Sequence, residues 1–311
     1  MKKMKKFLSL SVAAVLALSM TACGSKAGDT QNADATEKSS SNAKYTVGIC
    51  QLVQHEALDA ATKGFKDYLT EKLGDDVVFD EQNAQGDSAT CATIVNSFVS
   101  KNEDLILANA TALDISGWSG TTGRNISGTS DLAPLSEQAA MLNELFPDAK
   151  NVGLLYCSAE ANSQYQIDVI KEELEKLNYT CTAYSFVDSN DIASVVQSAV
   201  NENDVLYVPT DNTAASNTEV INNIAGEAGI PIIAGEAGIC KGCGVATLSI
   251  SYYDLGYQTG KMAYEILVNG ADPSTMEVEF APAVTKQYNP DICEKLGITV
   301  PDDYEALDMS E

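Results

Sequence analysis

The sequence predicts an α/β protein of two lobes, each built on a parallel sheet. Two observations lead there. Short, near-continuous apolar runs alternate with stretches whose apolar residues recur every three to four positions. Repeated β-α-β of this kind means parallel strands covered by helices on both faces. The alternation also falls into two series, of about 90 and about 120 residues, too much for one sheet.

The elements follow in order. Tyr45–Leu52 (YTVGICQL) reads as a strand, and from Glu56 a helix places Leu58, Ala61, Phe65, Leu69 and Leu73 on one stripe. Val77–Asp80 is a second strand, Ser88 is expected to cap a helix with Cys91, Ile94, Val95 and Phe98 inward, and Asp104–Ala110 is a third strand. The second series begins with Val152–Cys157 and a helix carrying Ile167, Ile170, Leu174 and Leu177. It continues through Thr180–Val187, a helix at Ile192–Val200, the strand Val205–Pro209, a helix from about Ser216 and the strand Pro231–Gly235. Two capping boxes, Ser163-x-x-Gln166 and Ser216-x-x-Glu219, mark helix starts after strands.

The N-terminus has the layout of a secretory signal. Met1–Lys6 carries four lysines, and residues 7–22 are apolar or small without a charge, too short a run to span a bilayer. Met20-Thr21-Ala22-Cys23 is a lipobox with Met where Leu is usual, so Cys23 is the expected lipidation site and residues 1–22 the signal peptide. Residues 23–44 hold no large apolar side chain and read as a flexible tether. Cleavage before Cys23 leaves 15 basic residues against 44 acidic ones, a net charge of −29. Nucleic-acid binding needs basic patches, and a chain with Arg124 as its only arginine supplies none.

Seven further cysteines are Cys50, Cys91, Cys157, Cys181, Cys240, Cys243 and Cys293. Most fall in apolar contexts where Cys behaves as a small hydrophobe. Cys240-x-x-Cys243 lies in a Gly-rich stretch, read as a loop thiol pair capable of a local disulfide. A zinc site needs a second pair or nearby histidines, and His55 is the only histidine. No metal and no cofactor is expected.

Ligands of open parallel sheets bind beyond the carboxyl ends of the strands. Six strand ends here carry small polar residues: Gln54-His55-Glu56, Asn83–Asp87, Asn109–Thr111, Ser158–Ser163, Thr210–Thr213 and Gly235-Glu236. One such end is a turn; six in two lobes line the halves of a cleft.

At this point a family resemblance becomes specific. GICQLVQHEALDAATKGFKDYL (48–69), QNAQGD (82–87), DLILANAT (104–111), NISGTSDLAP (125–134), VGLLYCSAEANS (152–163), YVPTDNTAAS (207–216), PIIAGEAG (231–238) and SISYYDLGYQTGKMAYEIL (249–267) stand in the order of the tryptophan/tyrosine-type ABC transporter substrate-binding proteins. The chain resembles this branch of the type I periplasmic-binding-protein superfamily over residues 45–298. The resemblance implies two Rossmann-like lobes joined by a three-segment hinge, capture of an amino-acid-like solute, and delivery to membrane permease subunits by a lipid-anchored, extracytoplasmic monomer. Lobe 1 is then residues 45–130 plus about 252–275. Lobe 2 and the hinge take 131–251 plus about 276–298, and 299–311 form an acidic tail.

Carried over by motif, the ligand carboxylate sits at the helix after Ser158 with Glu160, Asn162 and Ser163. Asp211 pairs the ammonium beside Asn212 and Thr213, with Glu236 as a second ammonium candidate. Gln54, His55, Asn109, Thr111, Thr129 and Asp131 close from lobe 1. Ser163 has a competing role as a helix cap, Thr129 and Asp131 as hinge residues, and Tyr252 and Tyr253 are weighed between stacking on a solute and helix packing.

The sequence departs from the family at one place. After strand 104–110 the family continues with a helix and another strand, whereas this chain passes through Trp118 to Gly128 almost directly. About one helix-strand unit is missing, so the first lobe is expected to be shortened. Two other classes compete with binding: a sensory lipoprotein, and a hydrolase using carboxylates such as Glu160 and Asp211. The chain shows no nucleophile elbow followed by a histidine, because His55 precedes every candidate serine.

Overall fold

The computed structural model describes residues 43–110, 120–132, 134–281 and 283–309. Cys23, the expected signal and tether, Thr111 and Trp118 lie outside the described residues.

The chain runs β1 (Tyr45–Gln51), α1 (Glu56–Leu73), β2 (Val77–Asn83), α2 (Ser88–Lys101) and β3 (Leu105–Asn109), then the short β4 (Thr129–Ser130). The second series is α3 (Leu135–Leu145), β5 (Asn151–Cys157), α4 (Ala161–Lys176), β6 (Thr180–Phe186), α5 (Ile192–Glu202), β7 (Val205–Val208), α6 (Asn212–Ala215), α7 (Thr218–Ala228), β8 (Ile232–Ala234), α8 (Ala237–Cys243) and β9 (Ala246–Ser249). After it come α9 (Tyr252–Asn269), β10 (Glu279–Phe280), β11 (Thr285–Tyr288), α10 (Pro290–Leu296) and β12 (Glu305–Ala306).

Two sheets organise these elements, as the apolar runs predict. The first has the order β2-β1-β3, all parallel, with Val47 facing Leu105 and Gln51 facing both Asn83 and Asn109. Alternation along β1 feeds two cores. Val47 and Ile49 pack with Phe65 and Leu69 of α1 and Ala263 of α9, while Cys50 packs with Ile94 and Phe98 of α2. The second sheet has the order β12-β11-β9-β8-β7-β5-β6; β5 to β9 are parallel, and β11 runs antiparallel to β9. Its larger apolar cores lie on both faces.

Three segments pass between the two bodies. One leads from β4 into α3, one from β9 into α9, and one from β10 into β11. Near these crossings β4 pairs in parallel with β10, and the Thr129 and Thr259 hydroxyls share a hydrogen bond of 2.8 Å. The outer edge of β3 has no strand beside it among the described residues, in keeping with a shortened first lobe. Ala110, at the end of β3, takes φ 125°, a strained conformation for a residue with a Cβ.

The structure corrects five local expectations. Asp87, not Ser88, caps α2, through a bond from the Ala89 N–H. Ser163 lies inside the first turn of α4, whose N-cap is Glu160, and Ser216 closes α6 while Asn217 caps α7; neither serine opens a capping box. Leu177 terminates α4 and is exposed rather than on its buried stripe. Residues past Ile298 are not a free tail, since β12 joins the seven-stranded sheet with Tyr304 and Leu307 buried. Cys240 and Cys243 lie in α8, not in a turn, as buried free thiols whose ionisation burial opposes.

Candidate functional site

The carboxyl ends of β1, β7 and β8 point toward one another across the space between the sheets. On the first-lobe side, Gln51 is buried and anchored. Its Nε2 donates to the Val53 carbonyl and to Asp59, and its Oε1 accepts from Thr62. The strand therefore stops rigidly, and His55 at the N-cap of α1 projects into the gap. Asn109 is taken up in the same network, donating to the Leu58 carbonyl and Thr62 Oγ1, both at 2.8 Å.

On the other side, Asp211 caps α6. It was expected to bind the ligand ammonium, but its Oδ1 accepts from the Ala214 N–H at 2.8 Å and its Oδ2 from the Cys157 N–H at 2.6 Å. Asp211 is buried, and its carboxyl is pushed up by desolvation and by the Glu160 charge. Glu160 is a clamp. Its two oxygens accept from the backbone and side chains of Asn212 and Thr213 at 2.7–3.0 Å. Asn162 donates to the Thr210 carbonyl, and Ser163 is fully buried beneath it. Glu160, Asn162, Ser163 and Thr213 build the wall behind, whereas Asp211 and Asn212 reach its inner surface.

Glu236, at the end of β8, caps α8 by accepting from the Gly238 and Ile239 N–H groups. It is buried, and desolvation, reinforced by the charges of Glu56 and Asp131, raises its carboxyl to about 7. Asp131 enters from the crossing segment and accepts from the Tyr252 hydroxyl at 3.0 Å. Burial raises its carboxyl too, against the pull of that hydroxyl. Burial lowers the His55 imidazole below its ordinary range. Its Nε2 lies 3.2 Å from Asn212 Oδ1. Since Asn212 Nδ2 is committed to Glu160, Oδ1 is the acceptor and the histidine donates from Nε2.

Two contiguous spaces result. The larger, about 330 Å³, lies between Gln54, His55 and Glu56 on one side and Ser216, Thr218, Glu236, Gly238 and Lys241 on the other. The inner one, about 10 Å³ or room for a single water, reaches Asp131, Thr210, Asp211, Asn212 and Tyr252. His55, Ala215 and Glu236 border both. Of the residues expected at the site, Gln54, His55, Asp131, Asp211, Asn212 and Glu236 come together here. Asn109, Thr129, Glu160, Asn162, Ser163 and Thr213 border neither space. Two pairs span the gap: His55 with Asn212, and Lys241 with Glu56 at 3.9 Å. Of the two tyrosines weighed for stacking, Tyr252 borders the inner space, whereas Tyr253 lies against Lys63 and Asp67 of α1. Among the described residues no cluster of His, Cys, Asp and Glu is suited to a metal ion.

Lys241, hidden inside the cysteine motif, was not anticipated as a cleft residue, and Glu56 was read in the strand-end group with Gln54 and His55 without a role of its own. The pattern that reveals Lys241 is Glu236 capping a helix that runs through both cysteines, which places the lysine side chain on the cleft.

Residues 46–115 and 113–307 match the sequence pattern described as ABC transporter substrate binding protein. The chain belongs to that family. The two matched stretches overlap at 113–115, in the region where a helix and a strand are expected to be missing. A tyrosine-binding protein of Clostridioides difficile (strain R20291) is 35% identical over 295 residues, covering 86% of this chain and 85% of that one. The ABC domain in complex with L-Trp from Streptococcus pneumonia aligns with TM-score 0.78 at 29% identity, covering 84% of this chain and 97% of the other. The ligand-free, open structure of a substrate binding protein with adhesive properties from Clostridium difficile is 33% identical but aligns at 0.63, covering 86% and 100%. This substrate-binding protein is thus nearer in shape to the ligand-bound relative than to the open one, although nearer in sequence to the open one. More distant members with sugars or polyols bound, at 11% and 16% identity, share the fold.

Proposed function

We propose that this protein captures an aromatic amino acid, L-tyrosine or L-tryptophan, outside the cytoplasm and hands it to the permease of an ABC importer. Lipid on Cys23 holds it at the membrane. It is a binding protein and carries out no chemistry on its cargo. One observation carries the reading: the cleft between the sheets has the size of a small-ligand site, and its deep wall holds the carboxyls of Asp131 and Glu236 facing one space. A half-buried and a buried acid that repel each other create a place for one cation. The α-ammonium of a zwitterion meets that need; a sugar does not. The named relatives that bind tyrosine and tryptophan support the aromatic side chain.

Capture proceeds by hinge closure, a shift from open to closed populations that the ligand favours by touching both lobes. A thermal-unfolding series tests this. L-tyrosine or L-tryptophan at 100 times its Kd should stabilise the native state by about 2.7 kcal/mol. L-rhamnose and myo-inositol should leave the midpoint unchanged. A midpoint that moves with the sugars and not with the amino acids would reverse the assignment.

A further inference from the structure

We infer that Lys241 is the group that recognises the ligand carboxylate, and so sets the preference of the cleft for an amino acid over the corresponding amine. This rests on the amino-acid reading above. Among the described residues bordering the two spaces, Lys241 is the one lysine or arginine. The acids there are Glu56 and Glu236 beside it in the larger space and Asp131 and Asp211 in the inner one, and His55 is held toward its neutral form by burial. An anionic group entering a cleft so rich in acids, on a chain of net charge −25, is repelled unless a fixed cation meets it. The helix after Ser158, expected to hold the carboxylate, borders neither space. Asn162 is instead turned onto the Thr210 carbonyl.

The position of Lys241 suits the role. It sits in the last turn of α8 and borders the larger space, while Asp131 borders the inner one. A ligand with its ammonium inward and its carboxylate outward spans the two. Lys241 is also engaged with Glu56 across the gap, but at 3.9 Å, with Glu56 62% exposed. Exposed pairs of this kind are weak. A carboxylate arriving in a closed, partly dry cleft gains more from the ammonium of Lys241 than the exposed Glu56 carboxylate does.

The test compares L-tyrosine with tyramine and L-tryptophan with tryptamine, on the wild-type chain and on Lys241→Met and Lys241→Arg variants, by calorimetric titration. The wild type should prefer each acid to its amine by tenfold or more. Lys241→Met should lose at least tenfold for the acids and little for the amines, so that the preference collapses. Lys241→Arg, which keeps the charge, should retain most of it. Glu56→Gln should tighten the acids by a few fold, since it removes a competing carboxylate. An undiminished acid preference in Lys241→Met, or equal losses for acid and amine, overturns the assignment. A wild type that binds none of the four compounds removes the amino-acid reading itself, and this role for Lys241 with it.

Discussion

At the scale of single residues, the cleft is a problem of buried acids. Asp131 has one oxygen on the Tyr252 hydroxyl and a raised carboxyl. An ammonium beside it relieves the desolvation that raises it. Asp131→Asn should weaken aromatic amino-acid binding by about 2–5 kcal/mol, the usual cost of truncating one half of a desolvated pair, and titration calorimetry reads it directly. Glu236 gives a pH signature. Its carboxyl titrates at about 7 in the fold, against 4.5 ordinarily. The folded state therefore holds the proton more tightly than the unfolded chain. That contribution is fully present below about pH 4.5 and is lost as pH rises through about 7. The ligand-free protein should lose roughly 3 kcal/mol from this group across the window. Glu236→Gln should remove this part of the slope, leaving the contributions of Asp131, Asp211 and His55 common to both proteins. Urea unfolding of wild type and variant from pH 5 to pH 8 gives the difference; a constant difference contradicts it. The strand ends pointed to His55 and Glu236 in the sequence, because six polar ends together suggest a cleft, whereas Asp131 was expected only from the family resemblance. The role of Asp211 was not legible. Whether an aspartate after a strand faces a ligand or caps its own helix depends on the direction of one side chain, and here Ala214 and Cys157 claim both oxygens.

At the scale of elements, the cleft depends on α1 and α9 lying close together, because α1 carries His55 at its start and α9 carries Tyr252. Gly64 and Gly256 permit that approach. A methyl group at Gly64 would fall on the Tyr253 carbonyl oxygen, and one at Gly256 on the Ala61 carbonyl oxygen. Both clashes are with backbone, which cannot rotate aside. Gly256→Ala should therefore destabilise the protein by about 1–3 kcal/mol or more, despite the better helix propensity of alanine. A lowered thermal midpoint checks it; an unchanged one means the helices can separate freely. The helices themselves were legible from their apolar stripes, and α1, expected from about Glu56, begins there. Their caps were less so. The S-x-x-Q pattern at Ser163 falls inside α4 because Glu160 occupies the cap position while its carboxylate serves α6 instead. A tertiary clamp of that kind leaves no mark in local sequence.

At the scale of the whole molecule, two largely parallel sheets follow from the length and spacing of the apolar runs, and the three crossings between them were expected from the family resemblance. Among the described residues the first sheet has three strands, in keeping with the helix-strand unit expected to be missing after Asn109. The docking of β12 was not legible, because two exposed residues, Glu305 and Ala306, carry no strand signal and pairing with β11 alone places them. His55 with Asn212 and Lys241 with Glu56 reach across the gap. The central claim is that this cleft closes on one aromatic amino acid. Calorimetric titration of the protein with L-tyrosine, L-tryptophan, L-rhamnose and myo-inositol tests it most directly. The account predicts saturable one-to-one binding of tyrosine or tryptophan and no heat from the sugar or the polyol. Binding of neither amino acid, or of rhamnose or inositol in their place, would contradict it.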